Sequence, residues 1–137
     1  MTISEFKFRG NIKKLFNDSE IYIRKIPDKK QTGKGTAIGM PDYLVITRGK
    51  TYWFEVKLSP TKSTFNLSLI SESQYIEFTK MKNAGAIIIL AVYIEKQLYL
   101  VDYNMIFYLK FVLGQVSIPE DKLMIMTSNV VEQTLKL

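Results

Sequence analysis

The chain has 137 residues, 47% of them hydrophobic, and 19 Lys and Arg against 13 Asp and Glu give a formal net charge of +6. Neither cysteine nor histidine occurs, which excludes disulfide scaffolds, thiolate zinc sites, Cys/His catalytic pairs and Ser-His-Asp triads. Any catalysis falls to carboxylates, lysine, hydroxyls or a metal held by oxygen, and the positive balance suits a polyanionic partner such as nucleic acid.

The length fits one compact domain, and 8 Phe, 8 Tyr and 1 Trp along the chain argue against a disordered arm. The most apolar run, residues 84–94, is much shorter than the roughly 20 residues of a spanning helix. With no signal-peptide core at the amino terminus, a soluble, cytoplasmic protein is expected.

In chain order, Ser4 can cap a helix over residues 5–16 whose Phe8, Ile12, Leu15 and Phe16 share one face, with Gly10 as a weak point. Residues 20–26 alternate as a strand. Residues 27–39 have no buried pattern and read as a mobile basic loop, in which Lys29, Lys30 and Lys34 can follow phosphates or merely be solvated. Residues 43–47 and 51–57 are β-prone and joined by Arg48-Gly49, which favours a hairpin, although arginine suits a positive φ poorly. Both strands carry large apolar residues on each face, as central strands covered on two sides do.

Ser71 or Ser73 can start a helix that closes at Asn83-Ala84-Gly85. Residues 86–94 read as a buried strand, turning at Glu95-Lys96 into a strand over 98–102, then a short helix near 104–112 and a last structured piece after Pro119. The order predicts an α/β fold: a single domain, residues 1–137, with a mixed central sheet flanked by helices.

A turn at Arg48-Gly49 sets Thr47 against Lys50, Val45 against Tyr52 and Asp42 against Glu55. Directly opposed carboxylates destabilise a sheet unless a cation neutralises them. Magnesium prefers such oxygen ligands, with the Val56 carbonyl as a possible third protein ligand. Strand periodicity places Lys57 on the same face as Glu55, while Tyr52, Phe54 and Val56 point away. An acidic pair with an adjacent lysine can hold a metal, orient water and balance the charge that grows on a phosphodiester.

The run Gly39-Met40-Pro41-Asp42-Tyr43, a hydrophobic strand and then Phe54-Glu55-Val56-Lys57 resembles the signature of the PD-(D/E)xK nuclease superfamily. Within it the chain looks most like the RecU-type Holliday-junction resolvases, through Thr64-Phe65-Asn66-Leu67, Ile70, Gln74, Gly85, Leu98-Tyr99-Leu100 and Ser117-Ile118-Pro119, over residues 39–119. It is short for the cellular members of that group. Residues 5–57 and Gln74 also resemble the compact VRR-NUC nucleases, and a phage or mobile-element resolvase would reconcile the two.

The resemblance implies a restriction-endonuclease-like fold and a DNA endonuclease using Mg2+, with Mn2+ as a substitute. Asp42, Glu55 and Lys57 would form the active site, Gln74 would lie beside the lysine, and Glu5 would join the metal site, with Glu20 a lesser candidate. Glu5 in a first helical turn is equally what the helix dipole favours, and Gln74 could be a polar residue at a helix start. A four-way junction has two-fold symmetry, so a homodimer is expected, with Val130, Val131 and Leu135 as candidate interface residues. A less selective nuclease acting on flaps, ends or duplex, and a DNA-binding module without cleavage, are the competing functions.

Overall fold

The register of the sheet is set by a two-residue turn in which Arg48 (φ 53°) and Gly49 (φ 74°) are both left-handed, the geometry whose twist matches paired strands. The computed structural model describes residues 4–17, 20–27 and 39–137; the basic loop with Lys29, Lys30 and Lys34 lies outside them. Arginine is an expensive choice for this turn, by roughly 1–2 kcal/mol. Its side chain supplies a compensation, since Arg48 Nη2 donates to the Phe16 carbonyl at 3.0 Å and the guanidinium lies over the Phe16 ring.

Helix α1 (Glu5–Leu15) is capped by Ser4, whose side chain accepts the Lys7 N–H. It leads to β1 (Ile21–Lys25), β2 (Tyr43–Thr47) and β3 (Lys50–Ser59), a three-stranded antiparallel unit. After β4 (Thr64–Asn66) comes α2 (Glu72–Asn83), then β5 (Ile88–Ile94) parallel to β3 and β6 (Gln97–Asp102) antiparallel to β5. The central sheet runs β1-β2-β3-β5-β6 and is mixed. Helix α3 (Tyr103–Phe107) widens into a π-helical turn over Tyr108–Val112, strand β7 (Ser117–Pro119) pairs with β4, and α4 (Glu120–Asn129) ends in a second π-helical stretch, Val130–Thr134.

Alternation divides the core into two layers. Phe54, Ile89 and Ala91 face α1, packing with Phe8, Ile12, Tyr43, Val45 and Tyr52. Ile88, Leu90 and Val92 face α2, packing with Tyr75, Phe78 and residues of α3 and α4. All seven residues of β5 are buried, as expected for a strand covered on both faces. α2 closes as its sequence suggests, with Gly85 at φ 101°, its N–H donating to Lys82 and that of Ala86 to Met81, a Schellman arrangement.

The carboxyl terminus requires a correction. Val130 and Leu135, expected at a subunit contact, are 3% and 2% exposed and belong to the layer beneath α1, with Val131 packed against it. Widened helical geometry lets this segment turn over the β6 edge, so these side chains are already used by the chain's own core. Among the described residues no helix is long and apolar enough to cross a membrane.

Candidate active site

Tyr43 pairs with Phe54 at the end of the β2–β3 ladder, so Asp42 and Glu55 come next, as counting from the turn predicts. No further backbone pairing joins them; their side chains take over. The Asp42 N–H donates to Glu55 Oε1 at 3.2 Å and the Val56 N–H donates to Asp42 Oδ2 at 2.9 Å. Because the N–H and C=O of an extended residue face the same neighbouring strand, the Val56 carbonyl lies on this edge too.

Glu55 is in register with Leu90, which faces α2, and Lys57 follows on the same face. Lys57 Nζ is 3.2 Å from Glu55 Oε2. The third member comes from α2. Gln74 Nε2 donates to Glu55 Oε2 at 2.8 Å, and Gln74 Oε1 accepts from Lys57 Nζ at 2.9 Å. Asp42, Glu55, Gln74 and Lys57 thus form one hydrogen-bonded chain at the open end of the hairpin.

The helix that carries Gln74 is closely fixed. Ser71 is its N-cap, and Ser71 and Gln74 form a reciprocal capping box. The segment leading to Asp42 presses on the same turn, since a Cβ on Gly39 would lie 2.5 Å from the Ser73 carbonyl oxygen. Gly39 also has φ +87°, a conformation that glycine adopts without steric cost. Ser71 is one of two serines that the sequence offers as the cap; the contact of Gly39 with α2 joins residues distant in sequence and has no local signal.

Glu55 is 3% exposed. Its carboxyl is pushed up to about 7, first by burial and then by the charge of Asp42, against the opposing pull of Lys57 and Gln74. Burial also raises the Asp42 carboxyl above its ordinary value, while the Val56 N–H and the charges of Lys25 and Lys57 pull it back. A buried carboxylate (Glu55) beside a half-buried one (Asp42) resists carrying a second negative charge, which is the electrostatic condition a divalent cation relieves. Their oxygens and the Val56 carbonyl are hard donors suited to magnesium, so the residues present fit such an ion.

Glu5 stands in the first turn of α1, and its carboxylate pairs with Arg9 at 3.1 Å. Arg9 also donates to the Ile23 carbonyl at 3.0 Å. Tyr43, whose hydroxyl is raised to about 12 by burial, feels the charges of both Glu5 and Asp42. Glu20 precedes Ile21, which pairs with Thr47 at the hairpin end of β2, a strand length from Asp42. Among the described residues no three acidic side chains gather to hold a metal. Lys25, whose charge acts on Asp42 and whose Nζ lies 5.2 Å from the Tyr43 ring centroid, reads in the sequence only as part of the basic surface.

The mixed five-stranded sheet with helices on both faces is the restriction-endonuclease-like α/β fold, as the sequence predicts. Among solved structures 18 chains match it. One is Hjc of Archaeoglobus fulgidus, a Holliday junction resolvase from an archaeal hyperthermophile, with a TM-score of 0.58 over 93% of this chain and 95% of that one. Sequence identity to Hjc is 14%, so the likeness is one of fold. No family model and no curated protein matches the sequence.

Proposed function

We propose that this chain is a magnesium-dependent DNA endonuclease of the PD-(D/E)xK superfamily, a RecU-type, structure-selective resolvase of Holliday junctions. The observation that carries this reading is the chain of contacts from Asp42 through Glu55 and Gln74 to Lys57. Binding DNA alone has no use for a close acidic pair, which repels phosphate. The fold shared with Hjc supports the narrower choice of substrate.

Asp42, Glu55 and the Val56 carbonyl would hold the cation. A bound magnesium ion supplies Lewis-acid polarisation of a phosphoryl oxygen and a more acidic water at neutral pH. Lys57, its ammonium fixed by Gln74 and Glu55, balances charge that develops on the phosphoryl oxygens or orients the attacking water. Gln74 holds the lysine in place. Glu5 is assigned an outer place at this site, and Lys29, Lys30 and Lys34 are assigned contacts with the DNA backbone. Two protomers related by a two-fold axis would present one site to each of two opposed strands of a four-way junction.

Incubation of the protein with labelled four-way junction, flap and linear duplex, with and without magnesium, tests the proposal. Metal-dependent incision of the junction in preference to the other two is expected. Equal cutting of all three would make the protein a less selective nuclease, and binding without incision would make it a DNA-binding module.

A further inference from the structure

We propose that Ser71 is a positioning residue for Lys57, acting through Gln74; the inference rests on the nuclease reading above. A capping box ordinarily serves only its helix, with the N-cap side chain taking the N3 backbone N–H and the N3 side chain returning to the N-cap backbone. Here the N3 side chain has further duties. Gln74 Oε1 accepts both the Ser71 N–H at 3.0 Å and Lys57 Nζ at 2.9 Å, and Gln74 Nε2 donates to Glu55 Oε2 at 2.8 Å.

A carboxamide has one acceptor oxygen and one donor nitrogen that rotate together. The Ser71 N–H can only donate, so it fixes the oxygen on the side from which Lys57 approaches and leaves the nitrogen for Glu55. The reciprocal bond, from the Gln74 N–H to Ser71 Oγ at 3.2 Å, keeps that turn wound so that the Ser71 N–H stays aimed. Ser73 Oγ lies 3.1 Å from Ser71 Oγ, either atom serving as donor. The lysine ammonium has three N–H donors; Gln74 and Glu55 engage two, which would leave the third for the reacting group. Loss of the Ser71 hydroxyl would let the turn fray and the ammonium wander, without removing any group that touches DNA.

The test compares Ser71→Ala, Ser71→Thr and Asp102→Ala with the parent. Asp102 caps α3 through its side chain, which bonds Asn104 and Thr134 and no residue of the site, and its removal is the control for loss of a helix cap as such. Two readouts are taken: single-substrate kinetics on four-way junction DNA with magnesium, and the Lys57 Cε–H NMR resonance of the metal-free protein. In Ser71→Ala, kcat is expected to fall by about tenfold with KM little changed, because small misplacements of a reacting group are costly. The Lys57 resonance moves with it, Ser71→Thr restores both, and Asp102→Ala moves neither. An unmoved Lys57 resonance in Ser71→Ala, or a shift and rate loss equally produced by Asp102→Ala, overturns the proposal. If the parent cleaves no DNA, the nuclease reading fails by itself, while the resonance still decides whether Ser71 sets the position of Lys57.

Discussion

Gln74 Nε2 stands 2.8 Å from Glu55 Oε2, joining the first turn of α2 to the central strand β3. Through this bond the helix and the sheet meet at a charged group and not only through their apolar faces. The same carboxamide receives Lys57, so the arrangement of the acidic pair and of the cation beside it depends on one side chain.

Lys57→Ala is expected to reduce the rate of DNA cleavage by on the order of 100-fold while changing magnesium affinity modestly. The ammonium is a neighbour of Glu55, not an oxygen donor to a metal. Single-turnover cleavage and metal titration of the variant measure the two effects separately. Parent-like cleavage would make Lys57 a surface charge.

Much of this arrangement is legible in the sequence, because a tight turn fixes register and register fixes parity. Once Arg48-Gly49 is the turn, Asp42 must meet Glu55, and Lys57 must share the face of Glu55. The approach of Gln74 is less legible, since a glutamine at a helix start is ordinary until the helix is docked. Strands β4 and β7, of three residues each, are too short to show alternation. Val130 and Leu135 look like free apolar residues near a terminus because the π-helical stretch that turns them into the core leaves no periodic signature.

The upward shift of the Glu55 carboxyl has a consequence for stability. With its carboxyl near 7 in the folded protein, against about 4.3 for an unperturbed glutamate, the native state keeps a proton that the unfolded chain has already released. Stability of the metal-free protein is therefore fullest below the unfolded value and is lost as pH rises through about 7. Thermal melts in chelator from about pH 5 to about pH 8 should give a falling Tm, with a flatter profile for Glu55→Gln. A Tm that rises over this interval in the parent and not in Glu55→Gln would contradict the burial of Glu55 beside a second carboxylate.

Gly39→Ala should destabilise the fold by about 2 kcal/mol, combining a left-handed φ with a contact that something must relieve. The added Cβ would meet the Ser73 carbonyl oxygen at 2.5 Å, and relief would displace either the approach to Asp42 or the turn that carries Gln74. Cleavage should fall together with stability. Urea denaturation and cleavage assays on one preparation check this, and a variant as stable and as active as the parent would show that the close approach is unimportant.

Replacing Lys29, Lys30 and Lys34 together with alanine should weaken DNA binding and flatten its salt dependence, by about 0.9 in logarithmic slope for each phosphate that is no longer neutralised. The drop in affinity should be greater for a four-way junction than for linear duplex of equal length. Titrations of both DNAs at several salt concentrations measure it. An equal drop on both would favour a nuclease without preference for branched DNA, and unchanged affinity for either would mean that these lysines do not touch it.

The acidic pair itself is tested by incision of a labelled four-way junction across a magnesium titration, with the parent protein beside Asp42→Asn and Glu55→Gln. Metal-dependent incision by the parent is expected, with a reduction of at least about 100-fold in either variant and junction binding retained or tightened, because each substitution removes a charge that both holds the cation and repels phosphate. Turnover by Asp42→Asn or Glu55→Gln equal to that of the parent at every magnesium concentration would contradict the assignment of this site.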